Sequence, residues 1–258
     1  MLGAQKCALF YFTMLKCIHM DNRGKYYKDG YVLFNFEKSQ SSDDLKKVLE
    51  DIYNGNIKEG FQLEMSKKFN SNASDFRPHP ALYNPIFINI LYEQDIFKKL
   101  KEATGLDLYL GNIKIRMNYS SKVGYSGWHR DTDFYGGRVK GNVPPQVNIH
   151  YYPCFDENPE TTLKVWDGSH RKQTDYQIID KLRVKLEKGT EVLTDNDQYS
   201  ILDTVILHDV APTTYKKGAL RLMYNFCEKS QLPEFDSVDK KARELMQKGA
   251  PVSKEDLI

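Results

Sequence analysis

An excess of charge of either sign is missing from this chain of 258 residues: 37 basic against 35 acidic side chains leave a formal charge of +2. So close a balance supplies no general attraction to nucleic acid or to a membrane surface, and neither is expected as a partner. Long hydrophobic runs are also missing, since no stretch approaches the roughly 18 apolar residues that span a bilayer. Cysteine is sparse. Cys7, Cys17, Cys154 and Cys227 stand without Cys-x-x-Cys spacing, which argues against a zinc knuckle or dithiol motif and fits a reducing, cytoplasmic compartment. With no linker, repeat or low-complexity tract, residues 1–258 are expected to form one domain.

What is present is ordinary globular composition, 40% hydrophobic and 28% charged, enough for a large core. The apolar stretch Cys7 to Leu15 follows Lys6 and loosely imitates a leader. It lacks a small-x-small cleavage site and runs at once into Lys16 and His19, so it reads as a first strand or helix, with Met20 as an alternative start. Asp29-Gly30 predicts a turn into a strand from Tyr31 to Phe36. Ser41 to Asp44 offer helix caps, and Leu45, Val48, Leu49, Ile52 and Tyr53 recur at helical spacing up to Gly55. Residues 67–86, rich in Asn, Ser and Pro, read as an ordered loop, and Phe87 to Leu100 as a helix. Short strands then dominate: 108–110, 114–119, the His129 region, 146–152, 163–166, 191–193, 200–202, 204–207 and 219–226. Such spacing argues for a β-sandwich or barrel in the second half. Residues 174–186 read as a helical insertion, residues 235–248 as a closing helix, and the tail after Gly249 as loose.

The chemistry centres on Trp128-His129-Arg130-Asp131. In an extended segment His129 and Asp131 point to one face, so an imidazole nitrogen and a carboxylate oxygen can meet one ion. His208 is the best third ligand. Two histidines and one carboxylate with open positions form the arrangement of non-haem Fe(II) oxygenases, although a zinc hydrolase could use the same three. Arg221 lies thirteen residues past His208 with Gly218 between them, and antiparallel pairing returns it beside the metal. A guanidinium deep in an apolar strand needs an anion, and its planar fork matches a carboxylate.

Taken together, Asp29-Gly30-Tyr31-Val32, Trp128-His129-Arg130-Asp131, Trp166-Asp167-Gly168-Ser169-His170-Arg171 and Leu202-Asp203-Thr204 leading to His208 and Arg221 resemble the phytanoyl-CoA dioxygenase-like Fe(II)/2-oxoglutarate oxygenases over residues 25–228. Asp167 stands where that family usually has proline. The resemblance implies an α+β, mainly β fold: a double-stranded β-helix (jelly roll, cupin-like) over about residues 108–228. Flanking N-terminal helices and strands in 25–107 and the C-terminal helix would support it. It implies His129, Asp131 and His208 as iron ligands and Arg221 as the partner of the distal carboxylate of 2-oxoglutarate. With O2, such an enzyme would hydroxylate an aliphatic C–H and release succinate and CO2. A carboxylate at Asp131, where halogenating relatives carry a small residue, favours hydroxylation.

Asn118, Gln146 and Asn148 sit on strands facing the expected pocket and are candidates to orient 2-oxoglutarate or substrate, or simply to hydrogen-bond within the sheet. His150 and His170 read as structural, and His19 and His79 as surface or loop residues. Basic side chains at Arg116, Arg130, Arg138, Lys140 and Arg171 would form a solvated rim or receive an anionic substrate, and Trp128, Tyr135 and Trp166 could stack on a ring. The substrate expected is a small or medium polar molecule such as an acidic sugar, amino acid or natural product. Two other readings stand beside it: a cupin-like binding protein without turnover, against which the intact site argues, and a nucleic-acid demethylase, against which the small charge argues. Nothing in the pattern selects an oligomeric state.

Overall fold

Helix α1 (Asn22–Asp29) begins where the Asp21 carboxylate accepts from Gly24 N at 2.7 Å, and it ends at Gly30, whose φ of 89° suits a residue without Cβ. The computed structural model describes residues 21–65, 73–119, 128–131, 145–153, 155, 163–171, 190–192, 198–210, 218–234 and 238–258, and structural statements below concern these. The N-terminal apolar stretch and the expected helix at 174–186 lie outside them. Strand β1 (Tyr31–Asn35) follows directly. Helix α2 (Gln40–Asn54) has Ser39 as its N-cap, and Ser42, one of the expected capping residues, completes a capping box: each hydroxyl satisfies the other's backbone N–H.

Of residues 67–86, those from Ala73 onward contain more regular structure than their composition suggests. Strands β2 (Gln62–Met65) and β3 (Ala73–Arg77) pair with each other, and β3 pairs with β4. The single helix expected after them is two, α3 (Ile86–Glu93) and α4 (Ile96–Thr104), broken at Asp95 with φ 51°. Strands β4 (Tyr109–Asn118), β5 (Gln146–Tyr151), β6 (Leu163–Val165), β7 (Thr190–Val192), β8 (Gln198–Asp203), β9 (His208–Val210) and β10 (Ala219–Cys227) complete the sheets. Helix α5 (Lys240–Lys248) closes the fold. The tail beyond it is docked rather than loose, because Asn89 holds the backbone of Val252 by two 2.9 Å bonds.

All strand pairs are antiparallel. One sheet has the order β1-β8-β5-β10-β4-β3-β2 and the other β7-β6-β9, with His129 bridging to His208 at the open edge of β9. Alternation along the strands separates two faces. Ile149 and Tyr151 on β5, Leu220, Leu222 and Tyr224 on β10, and Ile113 and Ile115 on β4 join α2, α3, α4 and α5 in the main core. On the opposite face Leu202 packs between the sheets against Leu163, Val165, Val192 and Val210. The architecture is the jelly roll that the resemblance implies, with helices backing the larger sheet. No helix among the described residues is long and apolar enough to cross a membrane.

The inner face of the larger sheet is polar. Asn112, Asn118, Gln146, His150, Ser200 and Asn225 are all buried there, opposite a hydrophobic outer face. Gly218 permits the turn into β10: its φ is 99°, and a Cβ would stand 2.5 Å from the carbonyl oxygen of Asn118.

Candidate metal centre

His129, Asp131 and His208 converge between the sheets, with ligand atoms all within 4.8 Å of one another. Reciprocal 2.9 Å backbone bonds between His129 and His208 tie their strands, and Asp131 N donates to Thr204 O at 3.0 Å. Asp131 Oδ1 lies 3.6 Å from Nε2 of His129 and 3.7 Å from Nε2 of His208. The ring centroids of the two histidines are 4.4 Å apart. His208 Nδ1 faces the carbonyl of Ile206 at 3.0 Å. Donation there leaves Nε2 with its lone pair toward Asp131, the tautomer a metal ligand needs.

Electrostatics agree with that donor set. Burial and the neighbouring His129 push His208 down to about 4, so its imidazole is neutral at pH 7. Burial alone would raise the Asp131 carboxyl, but the facing imidazoles of His208 and His129 outweigh it and hold the group well below the usual carboxylate range. A neutral His208 imidazole and an ionised Asp131 carboxylate, both taken out of bulk water, are donors that suit a divalent transition metal.

The neighbouring amides divide in role. Asn148 Nδ2 donates to Asp131 Oδ2, and Asn148 Oδ1 accepts from Asn225 Nδ2 at 2.8 Å. Asn148 therefore supports the metal carboxylate with one of its two amide N–H donors. Gln146 Oε1 and Asn118 Oδ1 are buried without hydrogen-bond partners among the described residues. Arg221, 4% exposed, lies on the inner face two residues along β10 from Met223, which faces His150. Its partner across β4 is Arg116, and a like-charge pair of this kind is destabilising unless neutralised. Asp75 does so with bonds of 2.6 and 3.1 Å to Arg116, so Arg116 is a buried, paired side chain rather than part of a solvated rim. Burial would push Asp75 up, but the Arg116 bond and charge prevail and hold it below its ordinary value.

Arg130 is another basic residue expected at the rim. It is 4% exposed, and its guanidinium donates to the carbonyls of Ser169 at 3.2 Å and Val205. Lying between two residues that face the metal, it turns to the opposite side and ties the loop before His208 to residues 169–171. Leu207, the residue before His208, is held from the same side: its N donates to Ser169 Oγ at 2.8 Å, and Trp166 N donates to its carbonyl at 2.9 Å. Trp166 is half-buried after β6. Arg171 is exposed and lies 6.0 Å from the Tyr27 ring on α1, so it stands at the α1–β1 corner, away from the triad. Tyr135, Arg138 and Lys140 lie outside the described residues. Ser169 and Asn225 were not singled out in the sequence; Ser169 is carried by the Gly-Ser-His segment, whereas Asn225 has no signal beyond its place on β10.

No family model matches the chain, and no curated protein matches it. Among solved structures it is similar to EvdMO1 at 12% identity and TM-score 0.53, covering 81% of this chain and about half, 49%, of that one. EctD from S. alaskensis with 2-oxoglutarate and 5-hydroxyectoine is similar at 12% identity and TM-score 0.58, over 81% of this chain and 75% of EctD; another EctD structure holds bound Fe. SnoN from nogalamycin biosynthesis, a non-heme alpha ketoglutarate dependent epimerase, is similar at 11% identity and TM-score 0.60, over 80% and 81% of the two chains. At such identities the likeness shows the fold, the jelly roll of 2-oxoglutarate oxygenases, and does not single out the phytanoyl-CoA dioxygenase-like branch.

Proposed function

We propose that the chain is an Fe(II)- and 2-oxoglutarate-dependent dioxygenase of the phytanoyl-CoA dioxygenase-like kind that hydroxylates an aliphatic C–H of a small or medium polar substrate. The observation that carries this reading is the pairing of the His129–Asp131–His208 cluster with Arg221 on one buried inner face. A zinc hydrolase needs the three ligands but has no use for the guanidinium. The buried oxygens of Asn118 and Gln146 without described partners fit a pocket made for a polar ligand.

In this reading His129, Asp131 and His208 hold Fe(II), and Arg221 holds the distal carboxylate of 2-oxoglutarate by a charge-assisted fork. Iron held by these residues would supply the oxidising chemistry that consumes 2-oxoglutarate and O2, with succinate and CO2 as co-products. The protein's part is to fix three donors, keep the His208 imidazole neutral, and place a cation on the same buried polar face. The substrates of similar folds favour a small polar molecule, since EctD was crystallised with 5-hydroxyectoine; SnoN, an epimerase, shows that the fold also serves other reactions.

Anaerobic addition of Fe(II) and 2-oxoglutarate tests the proposal. A visible charge-transfer band is expected in the wild type and should vanish in His208→Ala and weaken strongly in Arg221→Ala. If the wild type gives no band, the proposal fails.

A further inference from the structure

His150 has no role in the site as described so far, yet its surroundings are unusual for a structural histidine. It lies on the inner face of β5, two residues beyond Asn148, with Met223 facing it on β10 and Ser200 on β8. Its ring is 1% exposed and 6.4 Å, centroid to centroid, from that of His208. Neither ring nitrogen has a hydrogen-bond partner among the described residues, and neither does Oγ of Ser200, which is fully buried. Buried polar atoms are almost always paired, so two neighbouring side chains left open on one face point to a ligand that completes them. His79 shows the contrast: it is also buried, and both its nitrogens are engaged.

Position narrows the ligand. Two residues of strand advance roughly 7 Å. One such step from His150 along the inner face leads to Asn148, which holds Asp131. One step the other way along β10, from Met223, leads to Arg221. A dicarboxylate with its 2-oxo end at the metal and its far end on Arg221 passes over His150 and Ser200.

On the dioxygenase reading above, we propose that His150 and Ser200 form a donor pair for the 2-oxo acid end of 2-oxoglutarate, an imidazole N–H and a hydroxyl hydrogen-bonding the carboxylate beside the metal. The imidazole brings an N–H donor and the Ser200 hydroxyl a second, side by side on the inner face. His150 is a binding residue for the co-substrate in this assignment, not a fourth ligand. It changes the structural role that the sequence suggested for this histidine.

The test uses the full chain loaded with Ni(II) or, anaerobically, with Fe(II), titrated by calorimetry with 2-oxoglutarate and with 2-oxobutyrate, a 2-oxo acid lacking the distal carboxylate. His150→Phe and Ser200→Ala are expected to raise Kd for both acids by a similar factor, roughly 10-fold, the scale of one lost hydrogen bond to a charged group. Arg221→Ala should weaken 2-oxoglutarate alone, and His150→Gln, which keeps an N–H donor, should recover most of the affinity. Nickel affinity without co-substrate should stay at the wild-type value in His150→Phe. A loss there would make His150 part of the metal centre and overturn the assignment, as would weakening confined to 2-oxoglutarate. Wild-type binding that survives His150→Phe removes the donor pair alone, whereas a wild type that binds neither acid removes the dioxygenase reading and the pair with it.

Discussion

The side-chain amide of Asn148 donates to Oδ2 of Asp131, while Oδ1 of the same carboxylate faces Nε2 of both His129 and His208. One oxygen is thereby committed to the protein and the other to the ion. Asn225 completes the chain by donating to Asn148 Oδ1, which fixes which way the Asn148 amide points. Groups that orient a ligand in this way usually matter to metal affinity almost as much as the ligands themselves.

Asn148→Leu is therefore expected to raise the Kd for Ni(II) or Co(II) by about 10- to 100-fold in calorimetric titrations of the metal-free chain. Asn225→Ala should have a smaller effect in the same direction, because it acts through Asn148. Wild-type affinity in Asn148→Leu would mean that the backbone bond from Asp131 N to Thr204 O suffices to set the carboxylate.

Ser169 supports the other side of the site. Its hydroxyl is the acceptor for the backbone N–H of Leu207, next to the ligand His208, and both residues are buried. Ser169→Ala leaves that N–H without its partner, at a cost of about 1–3 kcal/mol in urea denaturation, and loosens His208. Ser169→Thr, which keeps the hydroxyl, should retain most of the stability and the metal affinity. A loss in Ser169→Ala too small to measure would show that the N–H finds another acceptor.

The metal ligands were legible in the sequence because strand alternation is a local rule: His129 and Asp131 must share a face once the segment is extended, and Arg130 must turn away. The same rule explains what was misjudged. Arg130 and Arg116 were expected at a solvated rim because long charged side chains usually lie there. Their burial depends on acceptors distant in sequence, Val205 and Asp75, which no spacing announces. Strand β3, Ala73-Ser74-Asp75-Phe76-Arg77, has no β-branched residue and is held as a strand by its pairing with β2 and β4. The docked tail likewise depends on Asn89, 163 residues before Val252. Local pattern thus revealed which side chains could meet, and tertiary pairing decided which were free to act.

His79 gives a pH dependence whose sign can be worked out. Expected on the surface, it is buried, with Nε2 3.0 Å from Asn112 Oδ1 and Nδ1 accepting from Ala81 N at 3.1 Å. Donation by Nε2 to the amide oxygen leaves Nδ1 as an acceptor, so the native ring is neutral, and protonating it would break the Ala81 bond. Burial, partly offset by the Asn112 bond, pushes its pKa from 6.5 to about 4. Between those values the unfolded chain binds a proton that the native chain does not, so stability falls as pH drops from 6.5 toward 4. The gap corresponds to roughly 3 kcal/mol at about 1.4 kcal/mol per unit. His79→Gln offers the same donor and acceptor without titrating. It should therefore lose less stability than the wild type between pH 7 and pH 4.5 when both are unfolded in urea. An equal loss in the two proteins would show that His79 does not titrate between the native and unfolded states in this range, and a greater loss in the variant would show that the native ring is already charged.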